Sequence, residues 1–240
     1  MAIARLAVQK ESDREALLNT ALFKQVTPQQ AQELMPYMES VSVRKGEAIF
    51  HEGDTDHRLY VIANGMVKLT RVAEDKRVRL LSIQARGEIL GEIPVFDPEG
   101  GPRTANAIAM VNNTRVVWLD NDTIYAWLNR YPGIAVDMMQ VLAHRMRENY
   151  ERISDLVFMD VPGRLAKTLL DLASRFGQPI EDGLKVPHDL TQEEMAQLVG
   201  ASRETVNKAL MDFVNRGWIA REGRTIIIYQ PGALIRRSHM

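Results

Sequence analysis

Cysteine is absent from the 240 residues, which removes disulfides, thiolate redox chemistry, cysteine-held iron–sulfur clusters and a cysteine nucleophile together. Histidine is sparse. The five, at 51, 57, 144, 188 and 239, lack the HExxH or HxxxH spacing of a metal site, so each reads as a surface or core residue. No P-loop and no nucleophile–base pair can be found, which argues against an enzyme. No apolar run approaches the roughly 20 residues that cross a bilayer. The opening MAIARLAVQKESDRE has no hydrophobic segment of a secretory signal, so the expected location is the cytoplasm, with no membrane partner. An excess of one charge is missing too: 30 Lys and Arg stand against 31 Asp and Glu. Any nucleic-acid claim therefore rests on where charge is placed, not on its total. Residues 161–240 hold 11 basic against 9 acidic side chains, and residues 1–160 hold 19 against 22.

What is present, 45% hydrophobic and 25% charged residues, suits one large or two modest domains, two being the expectation. The most informative stretch is TQEEMAQLVGASRETVNKALMDF, residues 191–213. Thr191 and Glu194 form a capping box, Gly200 can take the left-handed conformation that ends a helix, and Ser202 is an N-cap for the next. Ala196, Val206 and Leu210 supply the small and apolar positions where two helices cross. This spells a helix-turn-helix. On its second helix Arg203 can donate two parallel hydrogen bonds to guanine, Glu204 can accept from cytosine, and Lys208 can reach a guanine or a phosphate. SRET can also be read as a polar helix start with Lys208 solvated. Residues 217–229, GWIAREGRTIIIY, read as two strands about a tight turn at Glu222-Gly223-Arg224, a wing on which Arg221 and Arg224 either touch phosphate or are solvated.

These motifs, with DVPGRLAKTLLDLA before them, resemble the DNA-binding half of the cyclic AMP receptor protein branch of the CRP/FNR transcription regulators. The resemblance implies double-stranded DNA and RNA polymerase as partners, and Arg203 and Glu204 as readers of the G and C pairs of a TGTGA-like half-site. Thr191, Gln192, Ser202, Arg203, Glu204, Thr205 and Lys208 form the expected DNA-contact set. Lys208 stands where the family usually has arginine, which keeps the charge but loses bidentate geometry. The absence of cysteine argues against an oxygen sensor that holds a cluster.

Toward the N-terminus, Glu11–Thr20 reads as a helix, and Thr27 as the N-cap of another with Pro28 in its first turn. From Val41 to about Asp120 short apolar alternations predict eight or so strands of an antiparallel roll, with Gly46, Gly53, Gly65 and Gly87 at turns or bulges. KGEAIFHEGD and LYVIANGMVKL resemble a cyclic-nucleotide-binding β-roll, and LGEIPVFDPEGGPRTANA, residues 90–107, its phosphate-binding cassette. A buried cyclic phosphate needs a cation and short donors. Arg103 and Thr104 supply them, amides after Gly91 add more, and Glu92 suits the ribose 2′-hydroxyl. Direct pairing of Arg103 with Glu92 in a polar turn is the alternative. Pro94 and the long EGG loop depart from the family pattern.

A helix from about Pro132 to Met159 carries Met139, Leu142, Met146, Asn149, Ile153 and Leu156 at alternating steps of three and four, a heptad stripe that predicts a parallel coiled-coil homodimer. Asn149 fixes register there or, with Tyr150, meets the adenine as the resemblance implies. The expected ligand set is Gly91, Glu92, Ile93, Arg103, Thr104, Asn149 and Tyr150, with cAMP as effector. The expected fold is α+β: an N-terminal cyclic-nucleotide-binding antiparallel β-roll (1–131), a long dimerisation helix and hinge (132–160), and a C-terminal winged helix-turn-helix domain (161–240). The alternative function is a DNA-binding regulator that is constitutive or gated by another ligand, with a vestigial nucleotide pocket.

Overall fold

In the computed structural model, which describes Thr20 and residues 26–239, local chemistry sets the first boundary. Thr27 caps α1 (Pro28–Leu34) through a capping box with Gln30, with proline in the first turn where its missing N–H costs nothing. The helix expected over Glu11–Thr20 lies, but for Thr20, outside the described residues.

Eight strands follow, as the alternation predicts: β1 (Glu39–Val43), β2 (Ala48–Phe50), β3 (Arg58–Asn64), β4 (Met66–Val72), β5 (Val78–Ala85), β6 (Ile89–Leu90), β7 (Asn106–Ala109) and β8 (Thr114–Asp120). They make two antiparallel four-stranded sheets, ordered β1-β8-β3-β6 and β2-β7-β4-β5. The four glycines expected at turns all have positive φ. The run LYVIA of β3 is buried on both faces, which is why it reads as a continuous apolar stretch. Tyr60 and Ile62 face a core with Phe50, Val67, Leu90, Ala107 and Val116. Leu59 and Val61 face a second core that includes Leu34, Val95, Ile124, Trp127, Ile134 and Met138. That second core is closed by α1, α2 (Glu92–Phe96), α3 (Asn121–Arg130) and the start of α4 (Pro132–Phe158).

The chain divides into two compact units whose boundary, between Met146 and Arg147, falls inside α4. The long helix expected from the heptad stripe is thus one continuous element shared by both units. In the second unit Asp160 caps α5 (Val161–Phe176), its Oδ1 accepting from the Gly163 amide at 2.9 Å. Then come β9 (Gln178–Ile180), β10 (Gly183–Pro187), α6 (Gln192–Val199), α7 (Arg203–Asn215), β11 (Ile219–Glu222), β12 (Thr225–Ile228) and α8 (Pro231–Arg237). The sheet order is β11-β12-β10-β9, so the wing hairpin is half of a four-stranded sheet. The strands β9 and β10 were not expected; the Asp182-Gly183 turn signal between Ile180 and Leu184 marks them. Leu165 and Leu169 of α5, Ala196 and Val199 of α6, Val206, Leu210 and Phe213 of α7, and Ile226 and Ile228 of β12 are all buried. No described helix is long and apolar enough to cross a membrane.

Candidate functional site

The cassette is built around a buried cation. Arg103 follows the loop that leaves α2, and its backbone is locked to the β2–β3 loop: Gly53 N donates to Arg103 O at 2.9 Å and Arg103 N to Asp54 O at 2.8 Å. The side chain runs inward until the residue is only 2% exposed. Its guanidinium lies over the Phe50 ring at 4.5 Å and near Tyr60 at 5.3 Å, both within cation–π reach. Nη1 donates to Gly91 O at 3.0 Å and Nη2 to Arg58 O at 2.8 Å. Gly91 is left-handed, with φ 77°, and a Cβ built there would sit 1.9 Å from Arg103 Nη1. Only glycine satisfies both the backbone and the space.

The remaining donors of Arg103 go to Asp56, which the sequence reading did not single out. Nε reaches Oδ1 at 3.0 Å and Nη2 reaches Oδ2 at 2.9 Å, a bidentate charged pair. The Tyr60 hydroxyl donates to the same carboxylate at 3.1 Å. Burial pushes the Asp56 carboxyl up, but the Arg103 bonds and charge, with Tyr60 and Arg58, outweigh it and hold it below the usual range. The same burial and the Asp56 charge push the Tyr60 phenol up.

Glu92 does not pair with Arg103, so the alternative expected from the sequence is corrected. Its Oε1 accepts from Arg145 Nη1 of α4 at 2.7 Å, while Arg145 Nη2 donates to Ile89 O at 3.1 Å. The two acids and two arginines of the region are sorted into separate pairs. Each pair spans about 50 residues of sequence, at separations of 47 and 53, so no local spacing could have announced Asp56 or Arg145. Ile93 and Thr104 are exposed. Pro94 is buried within α2, where a proline near the helix start removes no needed donor. Asn149 and Tyr150 lie on α4 beyond the unit boundary, both exposed. A guanidinium, an exposed hydroxyl at Thr104 and the Glu92 carboxylate are groups of the chemical types that a cyclic phosphate and a sugar hydroxyl require.

The helix-turn-helix is assembled as its caps predict. Thr191 Oγ1 accepts from the Glu194 amide at 3.1 Å, and Glu194 Oε2 from the Thr191 amide at 2.8 Å. Gly200 ends α6 in the left-handed conformation, and a Cβ there would meet Leu156 of α4 at 2.5 Å. Ser202 Oγ caps α7 through the Thr205 amide at 3.2 Å. Arg164 reaches three carbonyls, Met159 O at 2.6 Å, Val199 O at 2.9 Å and Gly200 O at 3.1 Å. One guanidinium thereby ties the end of α4 to the turn between α6 and α7. Lys167 pairs with Asp155 at 2.6 Å, and Arg237 with Asp160.

On α7, Arg203, Glu204 and Lys208 are exposed, and Glu204 and Lys208 make no side-chain bond among the described residues. Arg203 donates from Nε and Nη2 to Gln192 Oε1 at 3.1 and 2.9 Å, and Asn207 Nδ2 donates to the same oxygen at 3.1 Å. Of five guanidinium N–H groups, three stay free, including the end-on fork that matches guanine O6 and N7. At the wing, Arg224 leans back on Asp189 at 3.4 Å, and the Arg224 carbonyl accepts from the amides of His188 and Asp189. The wing tip is thereby fixed to the entry of α6.

Along α4, Met139, Met146, Ile153 and Leu156 are exposed within this chain, as are Val157 and Phe158.

The sequence matches two family models: a cyclic nucleotide-binding domain over residues 40–131 and a Crp-like helix-turn-helix domain over residues 163–237. It is 45% identical over 224 residues to a CRP-like cAMP-activated global transcriptional regulator of Mycobacterium tuberculosis, covering 93% of this chain and 99% of that one. It is 30% identical to the cyclic AMP receptor protein of Thermus thermophilus, covering 89% and 94%. A Thermus thermophilus transcriptional regulator of the CRP/FNR family has a solved structure that covers 84% of this chain and 99% of its own, at TM-score 0.70 and 26% identity. With an antiparallel cyclic-nucleotide-binding domain, a long helix and a C-terminal helix-turn-helix matched across nearly its whole length, the chain belongs to the CRP/FNR family of transcription regulators.

Proposed function

We propose that this protein is a homodimeric, sequence-specific DNA-binding regulator controlled by cAMP, acting in the cytoplasm on a TGTGA-like inverted repeat, with RNA polymerase as the downstream partner. The observation that carries the reading is the Glu92–Arg145 pair at 2.7 Å: the carboxylate suited to the ribose is bonded to the helix that continues into the DNA-binding unit. Gly91, Arg103 and Thr104 receive the cyclic phosphate and Glu92 the 2′-hydroxyl, with Ile93 beside it. Asn149 and Tyr150 meet the base. A ligand that engages Glu92 bears on Arg145 and so on α4, whose far end Arg164 and Leu156 connect to the α6–α7 turn.

The exposed Met139, Met146, Ile153 and Leu156 supply the dimer seam, where fixing register is the alternative role of Asn149. Two-fold symmetry then sets the recognition helices roughly 34 Å apart, one DNA turn. Arg203, Glu204 and Lys208 read bases, while Thr191, Gln192, Ser202 and Thr205 support the phosphate contacts and the approach of α7. The domain limits that follow are 1–131, 132–160 and 161–240. To favour the DNA-competent state from 1% to 99% the ligand must prefer it by about 10⁴.

One observation favours a second reading, a constitutive regulator with a vestigial pocket: Arg103 already holds an anion, Asp56. The deciding experiment is binding to a TGTGA-type inverted repeat with and without cAMP at one fixed salt concentration, because phosphate contacts make affinity salt-dependent. Tighter binding with cAMP is expected. Equal affinity would favour a constitutive regulator or one gated by another effector, and no preference for the repeat over random DNA would overturn the assignment of the half-site.

A further inference from the structure

Resting on the reading of the cassette as a cyclic-nucleotide pocket, we infer that Asp56 is an internal counter-anion that competes with the ligand phosphate for Arg103 and so sets the affinity of the site. The guanidinium has five N–H groups, and four are engaged: Nε and one of Nη2 by the Asp56 carboxylate, the other of Nη2 by Arg58 O, and one of Nη1 by Gly91 O. A single N–H is left for a ligand. With its charge already balanced, the cation offers an incoming anion little net attraction.

The geometry also says which partner yields. The Arg103 side chain is 1% exposed and that of Asp56 is 30% exposed, so Asp56 forms the solvent side of the pair. The carboxylate can rehydrate as it leaves, and the buried guanidinium, which cannot, keeps its charge compensated when the ligand phosphate takes the carboxylate's place. When Asp56 swings away, Arg103 remains held by the two carbonyls and by the faces of Phe50 and Tyr60. What that movement releases is one Nε–H and one Nη2–H, the parallel fork that fits two oxygens of a phosphate. The carboxylate thus occupies the place and mimics the bidentate acceptor geometry of a cyclic phosphate. Because Asp56 is held below the usual carboxylate range, it is an anion across neutral pH, and the competition is constant rather than a pH switch.

A ligand that must first open this pair binds more weakly by the fraction of open molecules. A bidentate charged pair favours the closed arrangement by about tenfold to a hundredfold. Titration of the full-length chain with cAMP should therefore give about tenfold or more tighter binding for Asp56→Asn than for the wild type. Asp56→Ser, which also removes the charge but cannot rebuild the fork, should shift affinity the same way. Melting without ligand provides an independent reading: both variants should melt lower than wild type when free, because Arg103 loses its counter-ion, and gain more from saturating cAMP. Equal or weaker binding in both variants would overturn the competition and make Asp56 a positioning residue. Absence of cAMP binding in wild type and variants alike would overturn the nucleotide reading itself, and this inference with it.

Discussion

Acidification should loosen the DNA-reading unit through one residue, His188. It lies between β10 and α6 and is 6% exposed. Its backbone amide donates to Arg224 O at 3.2 Å, and its Nδ1 accepts from the Leu190 amide at 3.0 Å. That bond requires an unprotonated Nδ1. Burial, with the charges of Arg221 and Arg224 adding and Asp189 opposing, lowers its pKa from 6.5 to about 4. Above 6.5 the imidazole is neutral in folded and unfolded chains, and it contributes no pH dependence. As pH falls from 6.5 toward 4, the unfolded chain takes up a proton that the native one refuses, so stability drops; below 4 both are protonated and the loss levels off. The full loss is about 3 kcal/mol, and the share reached between pH 7.5 and pH 5 is about 2 kcal/mol. Asp160, whose bond to Arg237 lowers it from an ordinary value of 3.8, acts only below this window. The assay pairs an NMR titration of the His188 ring with amide exchange of α7 at several pH values, in wild type and in His188→Asn. A native ring pKa above 6, or the same acid loss of α7 protection in His188→Asn, would refute the reasoning.

Two further outcomes follow from the site geometry. Gly91→Ala should abolish cAMP binding and lower the melting point of the free protein, since the left-handed backbone alone costs roughly 1–2 kcal/mol and the new Cβ meets Arg103 Nη1 at 1.9 Å; unchanged titration and melting curves would count against the cradle. Glu204→Ala should relax preference at a single base pair of each half-site by roughly 1–3 kcal/mol, measured by competition among single-base operator variants, whereas a uniform loss over all variants would show that Glu204 reads no base.

Much of the fold was legible in the sequence because its signals act over three or four residues. The Thr191–Glu194 box, the Thr27 and Ser202 caps and the left-handed Gly200 are all found where the residue types put them. The alternations between Val41 and Asp120 resolved into eight strands for the same reason: each strand carries its own period. The wing hairpin was also visible, but not that β9 and β10 would join it, since sheet membership depends on which edge is free to pair.

The candidate site was legible as a list of residue types and not as a set of bonds. Gly91, Glu92 and Arg103 do converge, yet the partners that decide their chemistry, Asp56 and Arg145, come from a loop and a helix about 50 residues away. Charge alone left open, as the alternative to a ligand role, that Glu92 and Arg103 neutralise each other. The tertiary structure gave each a different partner, because burial of a guanidinium demands a counter-ion and carbonyls within reach at that depth, and only the packed roll determines which side chains are within reach. Residue types acting over three or four positions specified the local elements, their order and the chemical groups available. Only the packing of distant segments decided which charge faces which, pairing Arg103 with Asp56 and Glu92 with Arg145.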